Sequence, residues 1–190
     1  MTPWEKYQDD LSLIDFQYDP AQENAVRELQ RLYDELTQPK KKITWRVTLK
    51  ATFGGSMDIP TIQGIYFWGG VGRGKTYLVD TFYESLPFEN KMRIHFHRFM
   101  QRIHQELKQL TKQEDPLKLI AKKLAKETRI ICFDEFFVSD ITDAMILGTL
   151  IQELFSHGIV FVATSNIEPD GLYKNGLQRA RFLPAIDLIN

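Results

Sequence analysis

The chain has 190 residues, 43% of them hydrophobic and 26% charged, and its 24 basic and 25 acidic side chains leave a formal charge of -1. That length supports one hydrophobic core and is too short for two full domains, and the charge balance excludes a disordered chain or one that seeks polyanions through its net charge. A single cysteine, Cys132, set in an apolar run, excludes an internal disulfide framework and a cysteine zinc cluster, and fits a reducing compartment. Glu5, Asp9 and Asp10 stand where a signal peptide would need a basic region, and no window approaches eighteen apolar residues. The expectation is a cytoplasmic protein with no membrane span.

In chain order, Val26, Leu29, Leu32, Tyr33 and Leu36 recur at helical spacing after Asp19-Pro20 and before Pro39, which predicts a helix capped by Asp19. Ile43, Trp45, Val47 and Leu49 alternate with polar residues as an edge strand would, and Gly54-Gly55 and Pro60 then break the pattern. Residues 1–63 therefore read as an N-terminal extension, and residues 64–190 as the core that follows it. In that core Ile65 to Trp68, Arg93 to Phe96, Ile130 to Phe133 and Ile159 to Ala163 read as strands buried on both faces. Helices are predicted over Thr76 to Leu86, Phe99 to Leu110, Pro116 to Lys126 and Ile141 to Ser156, the last opened by Asp140 and closed by His157-Gly158. Such alternation implies a doubly wound α/β domain with a parallel sheet flanked by helices, whose ligands gather at the carboxyl ends of the strands.

GGVGRGKT follows the first core strand and opens a helix, which is the setting of a phosphate-binding P-loop. Glycines let successive backbone N–H groups face phosphate, and the helix N-terminus adds positive potential. The predicted nucleotide contacts are Gly69, Gly70, Val71, Gly72, Arg73, Gly74, Lys75, Thr76 and Tyr77, with Lys75 on the β and γ phosphates of ATP and Thr76 on Mg²⁺. ICFDEFF places Asp134 at the end of an apolar run, suited to holding Mg²⁺ with Thr76, and Glu135 next to it as the base that activates water. Asn166 closes the next strand and is placed to orient that water if its strand lies between the other two.

His95 and His97 alternate around Phe96, so on a strand they would face one side; hydrogen-bonded structural histidines are the default reading and a metal pair the minority one. Phe96, Phe99 and Met100 read first as helix-packing residues and second as a substrate-gripping group. Lys118, Lys122, Lys123 and Lys126 are spaced as a solvated helix face, with phosphate-backbone binding the minority reading. Asn90-Lys91-Met92-Arg93 lacks the aspartate of a guanine-reading motif, and a two-lobed helicase would need a second lobe of similar size.

Taken together, GGVGRGKT, HFHRFM, CFDEFFVSDITDAMILG, ATSN and LYKNGLQRARFLPAI resemble one family, the ZapE cell-division ATPases of bacteria and their mitochondrial AFG-type relatives. The resemblance runs from about Gly64 to Asn190. It implies an AAA+ P-loop ATPase in which Asp134 and Glu135 form Walker B, Asn166 is the sensor, and Arg181 or, second, Arg179 is an arginine finger offered to a neighbouring subunit. It also implies action on FtsZ filaments at the division septum. Such proteins normally continue into a helical lid, and the chain reaches Asn190 before one forms, so the expectation is a truncated form with weakened homo-oligomerisation and poor turnover. Two other classes stay open: a helicase-loader-like accessory that binds nucleic acid, and a nucleotide-gated binding module with little turnover.

Overall fold

The computed structural model describes residues 1–13, 16–38 and 62–190. The predicted edge strand at Ile43 to Leu49 lies outside the described residues. Two helices come first, α1 (Pro3–Leu11) and α2 (Pro20–Thr37). Helix α2 begins as its sequence dictates, with the Asp19 carboxylate accepting from the Ala21 N–H at 2.8 Å and Pro20 at the first helical position. Helix α1 was not foreseen, because its apolar residues are few. Its start is nonetheless encoded in a reciprocal capping box between Thr2 and Glu5.

The core follows as β1 (Ile65–Trp68), α3 (Lys75–Ser85), β2 (Lys91–His95), α4 (Phe96–Gln109), α5 (Pro116–Glu127), β3 (Ile130–Asp134), α6 (Ile141–Ser156), β4 (Val160–Ser165) and a terminal helix α7 (Leu183–Ile189). Single 3₁₀ turns lie at Pro169–Gly171 and Arg179–Arg181. The strands are all parallel in the order β1-β4-β3-β2, with Trp68 beside Ser165, Phe133 beside Ala163 and Asp134 beside His95. Period-two alternation sorts the central strands between two cores. Ile130, Cys132, Val160 and Val162 face α1, α2 and α3, while Ile131, Phe133, Phe161 and Ala163 face α4, α5, α6 and α7. Phe133 is the hub of the second core, with Phe99 and Phe161 at centroid distances of 4.9 and 5.0 Å and edge-on geometry.

Two sequence expectations are corrected here. The outer strands β1 and β2 are only half-buried, since among the described residues each has a strand neighbour on one side and helices cover the sheet most fully at its centre. Phe96 begins α4 and does not end β2, so the strand-like alternation of His95 and His97 does not apply. Phe96, Phe99 and Met100 are buried against the sheet, which removes the substrate-gripping reading.

The N-terminal helices are tied to the P-loop helix by a buried polar contact. Asp10 is 6% exposed and accepts from Tyr77 Oη at 2.6 Å and from Lys6 Nζ at 2.8 Å. Burial works against the Asp10 charge, but the bonds from Lys6 and Tyr77 outweigh it and hold its carboxyl below the ordinary aspartate range. A folded-state pKa below the unfolded one contributes stability above the unfolded value, and that contribution is lost as pH falls through the folded value. An Asp10→Ala variant is therefore expected to lose ~1–3 kcal/mol near neutral pH, the range for leaving a buried partner unsatisfied. The deficit should close as the pH falls below about 4. Denaturation midpoints across pH check this, and a deficit that persisted or grew in acid would count against it.

Candidate functional site

The segments that follow β1, β3 and β4 meet at the carboxyl edge of the sheet beside the start of α4, as the parallel order requires. The first is the P-loop between β1 and α3. Gly69, Gly72 and Gly74 all have positive φ, a region that costs an L side chain energy, and Gly74 lies at the helix cap with φ +74. A Cβ on Gly69, Gly70 or Gly72 would meet nothing within 4 Å, so the inside of the loop is open. Behind it, Gln22 of α2 approaches so closely that a Cβ on Gly74 would come within 2.6 Å of its Nε2. Val71 and Arg73 are exposed at the loop tip. The Tyr77 side chain turns away to Asp10, which leaves only its backbone amide directed with the helix start.

Lys75 folds back over the loop. Its Nζ donates to the carbonyls of Gly69 and Gly70 at 2.5 and 2.8 Å and to Asn166 Oδ1 at 3.2 Å. The last bond joins residues 91 positions apart and sets the P-loop beside the end of β4. Strand β4 does lie between β1 and β3, which was the condition on which the role of Asn166 depended.

At the end of β3, Asp134 is largely sheltered and Glu135 is 82% exposed as a side chain. Glu135 holds φ +54, unusual for a residue with a Cβ. Its neighbours on β4 hold it there. The Glu135 N–H donates to Thr164 Oγ1 at 3.3 Å, the Phe136 N–H donates to the Thr164 carbonyl at 2.7 Å, and Ser165 Oγ donates to the Phe136 carbonyl at 2.7 Å. The turn thus sends Asp134 and Glu135 in different directions and leaves Glu135 facing solvent, with His95 Nδ1 3.9 Å from its carboxylate. His97 pairs instead with Gln101 on its own helix at 3.0 Å, and His104 with Asp143 at 2.5 Å. Cys132 is fully buried, and burial pushes its thiol up to about 12.

The two arginines are distinguished by their surroundings. Arg179 Nη2 donates to the Asp170 carbonyl at 2.6 Å and lies 3.5 Å from that of Leu172, so it ties the two 3₁₀ turns together. Arg181 is exposed, and its side chain makes no hydrogen bond or ion pair among the described residues. Thr164 and Ser165, which shape the Glu135 turn, were missed in the sequence except as a polar cluster. Arg93, which grips Asp134, left no signal beyond a basic residue in an apolar strand.

The residues present fit a nucleotide triphosphate with its cation. Three glycines give an open loop at a helix start, a lysine spans it, Thr76 is exposed at the first turn, and a carboxylate and an amide stand across from it. Among the described residues no helix is long and apolar enough to cross a membrane.

The family model of AFG1-like ATPases matches residues 1–190. The chain is 52% identical over its whole length to the cell division protein ZapE of Escherichia coli K12, covering 52% of that protein. It is 38% identical to an uncharacterised protein of Schizosaccharomyces pombe over 99% of the chain and 48% of that relative. The chain thus spans about half the length of the curated relatives it matches. Among solved structures, DnaI aligns over 95% of this chain and 82% of its own, with TM-score 0.58 and 19% identity. Domain III of Thermotoga maritima DnaA aligns over 80% of this chain and 61% of its own, with TM-score 0.51 and 21% identity. These likenesses are of fold: a P-loop AAA+ core with a parallel sheet flanked by helices.

Proposed function

The chain belongs to the AFG1-like ATPase family, and from that premise we propose that it hydrolyses ATP and uses the cycle to destabilise FtsZ filaments at the division septum. The observation that carries the hydrolytic part is the 3.2 Å contact between Lys75 and Asn166. It sets the phosphate-binding lysine and the water-orienting amide on one spot, with Glu135 one strand away.

In this reading the P-loop amides and Lys75 bind the β and γ phosphates and offset their charge. Thr76 and Asp134 would hold Mg²⁺, which adds charge neutralisation across the same phosphates. Asn166 orients a water and Glu135 accepts its proton as the oxygen attacks the γ phosphorus. The bond from that phosphorus to the bridging oxygen breaks, and ADP and phosphate leave. Exposure suits Glu135 to this task, because a base for an incoming water has to be reachable from solvent.

Arg181 is the residue offered to a second copy. Its side chain has no partner among the described residues, which supports that role, whereas the bonds of Arg179 to two backbone carbonyls support a structural one. The filament part of the proposal rests on the resemblance to a cell division protein and on the family's ATPase core. Light scattering of FtsZ filaments is expected to fall when the chain and ATP are added together, to hold steady with either alone, and to hold steady with Arg181→Ala. Scattering that ignores ATP would remove the filament proposal and leave hydrolysis standing.

A further inference from the structure

Beside the candidate site lies an ion-pair cluster in which the mechanism above uses Asp134 but neither Arg93 nor Asp80. Arg93 projects from β2, with its side chain 22% exposed. Its Nε donates to Asp134 Oδ2 at 2.9 Å and its Nη2 to Oδ1 at 3.2 Å, so one guanidinium holds both oxygens of the carboxylate. Its third arm, Nη1, reaches Asp80 Oδ1 on α3. Asp80 follows Thr76 by four residues on that helix and therefore shares its face. Arg93 thus ties the strand end that carries Asp134 to the helix that carries Thr76. Burial opposes the charge on Arg93, and the bonds to Asp134 and Asp80 more than offset it, leaving the guanidinium more firmly protonated than usual.

Sheet stability does not require this arrangement, since an apolar residue on a half-buried outer strand would serve as well as a partly desolvated ion pair. What the fork adds is direction. A planar guanidinium fixes the plane of the carboxylate it grips, which a lysine cannot do. It also occupies both oxygens of the one carboxylate assigned to the divalent cation.

We propose that Arg93 is a positioning residue for Asp134, fixing the carboxylate by both oxygens so that a divalent cation must compete with a guanidinium for it. The proposal rests on the ATPase reading and deepens it, because it makes cation affinity at this site a quantity set by β2. Replacing Arg93 removes the competitor and one positive charge within a few ångströms of the cation's ligands.

The test uses the full chain and Mn²⁺ as probe, followed by the electron spin resonance signal of the free ion, with a non-hydrolysable ATP analogue and without it. Arg93→Gln is expected to bind Mn²⁺ about tenfold more tightly in the presence of the analogue. Arg93→Lys keeps the charge but not the fork and is expected to tighten binding about threefold. Unchanged or weaker Mn²⁺ binding in a folded variant overturns the proposal. Thermal melting establishes that each variant folds, and if the glutamine variant does not, the lysine variant decides alone. Binding of the analogue in EDTA separates the two claims. A wild-type chain that fails to bind the analogue refutes the ATPase reading and this proposal with it, whereas normal nucleotide binding with Mn²⁺ affinity indifferent to Arg93 refutes this proposal only.

Discussion

A Lys75→Ala variant is expected to lose nucleotide binding and turnover together, with phosphate release falling by ~10²-fold or more, the scale set by removing one preorganised charge from a phosphoryl-transfer site. Three contacts of Lys75 are the reason binding and turnover are expected to go together. Its ammonium reaches back over Gly69 and Gly70 and across to Asn166, so it touches both the loop and the end of β4. No buried apolar group is lost, so the melting temperature should barely move. Fluorescence titration with a labelled ATP analogue and a phosphate-release assay check the prediction, and a variant that still turned over would refute the P-loop assignment.

Glu135→Gln should separate the two properties that Lys75→Ala removes jointly. The amide keeps the shape of the side chain and cannot accept a proton from water, so turnover is expected to fall by ~10²–10⁴-fold, the range for loss of a general base. Bound ATP should then persist on the protein. The backbone of Glu135 is held by Thr164 and its side chain is largely in solvent, so the turn and the fold should survive the change. Filter retention of radiolabelled ATP measures the trapping. Wild-type turnover in the variant, or failure to retain nucleotide, would show that the base lies elsewhere.

Much of this site was legible because its parts are local in sequence. A P-loop is one contiguous stretch with glycines where positive φ is required, and the carboxylate after an apolar strand announces its own position at the sheet edge. Helix α6 could be bounded to the residue for a similar reason, since Asp140 caps it through the N–H groups of Thr142 and Asp143. The pieces that stayed hidden are relations between distant residues. Nothing in the pattern around Arg93 says that Asp134 lies one strand over, because that depends on β2 pairing with β3. Likewise, although the sequence already ranks Arg181 before Arg179, the bonds that tie Arg179 to the Asp170 and Leu172 carbonyls depend on the path of the chain. Strand limits were misjudged where an aromatic residue suits either state: Phe96 satisfies a strand period and a helix face equally, and the packing of its ring against Phe133 and Phe136 settles the matter for the helix.

The strand order has a bearing on how the molecule is assembled. Among the described residues strand β1 pairs with β4 alone, and the partner of Ile65 is Val162, nearly a hundred residues later in the chain. During synthesis the P-loop is therefore made early, well before β4, while β2 and β3 can already pair with each other. Only when Val160–Ser165 emerges can it fill the space between β1 and β3, completing the sheet and bringing Asn166 to Lys75 in the same event. Closure over so long a loop is entropically slow, so the nucleotide pocket is among the last features of the fold to form. ATP can then reward only chains whose last strand is in place.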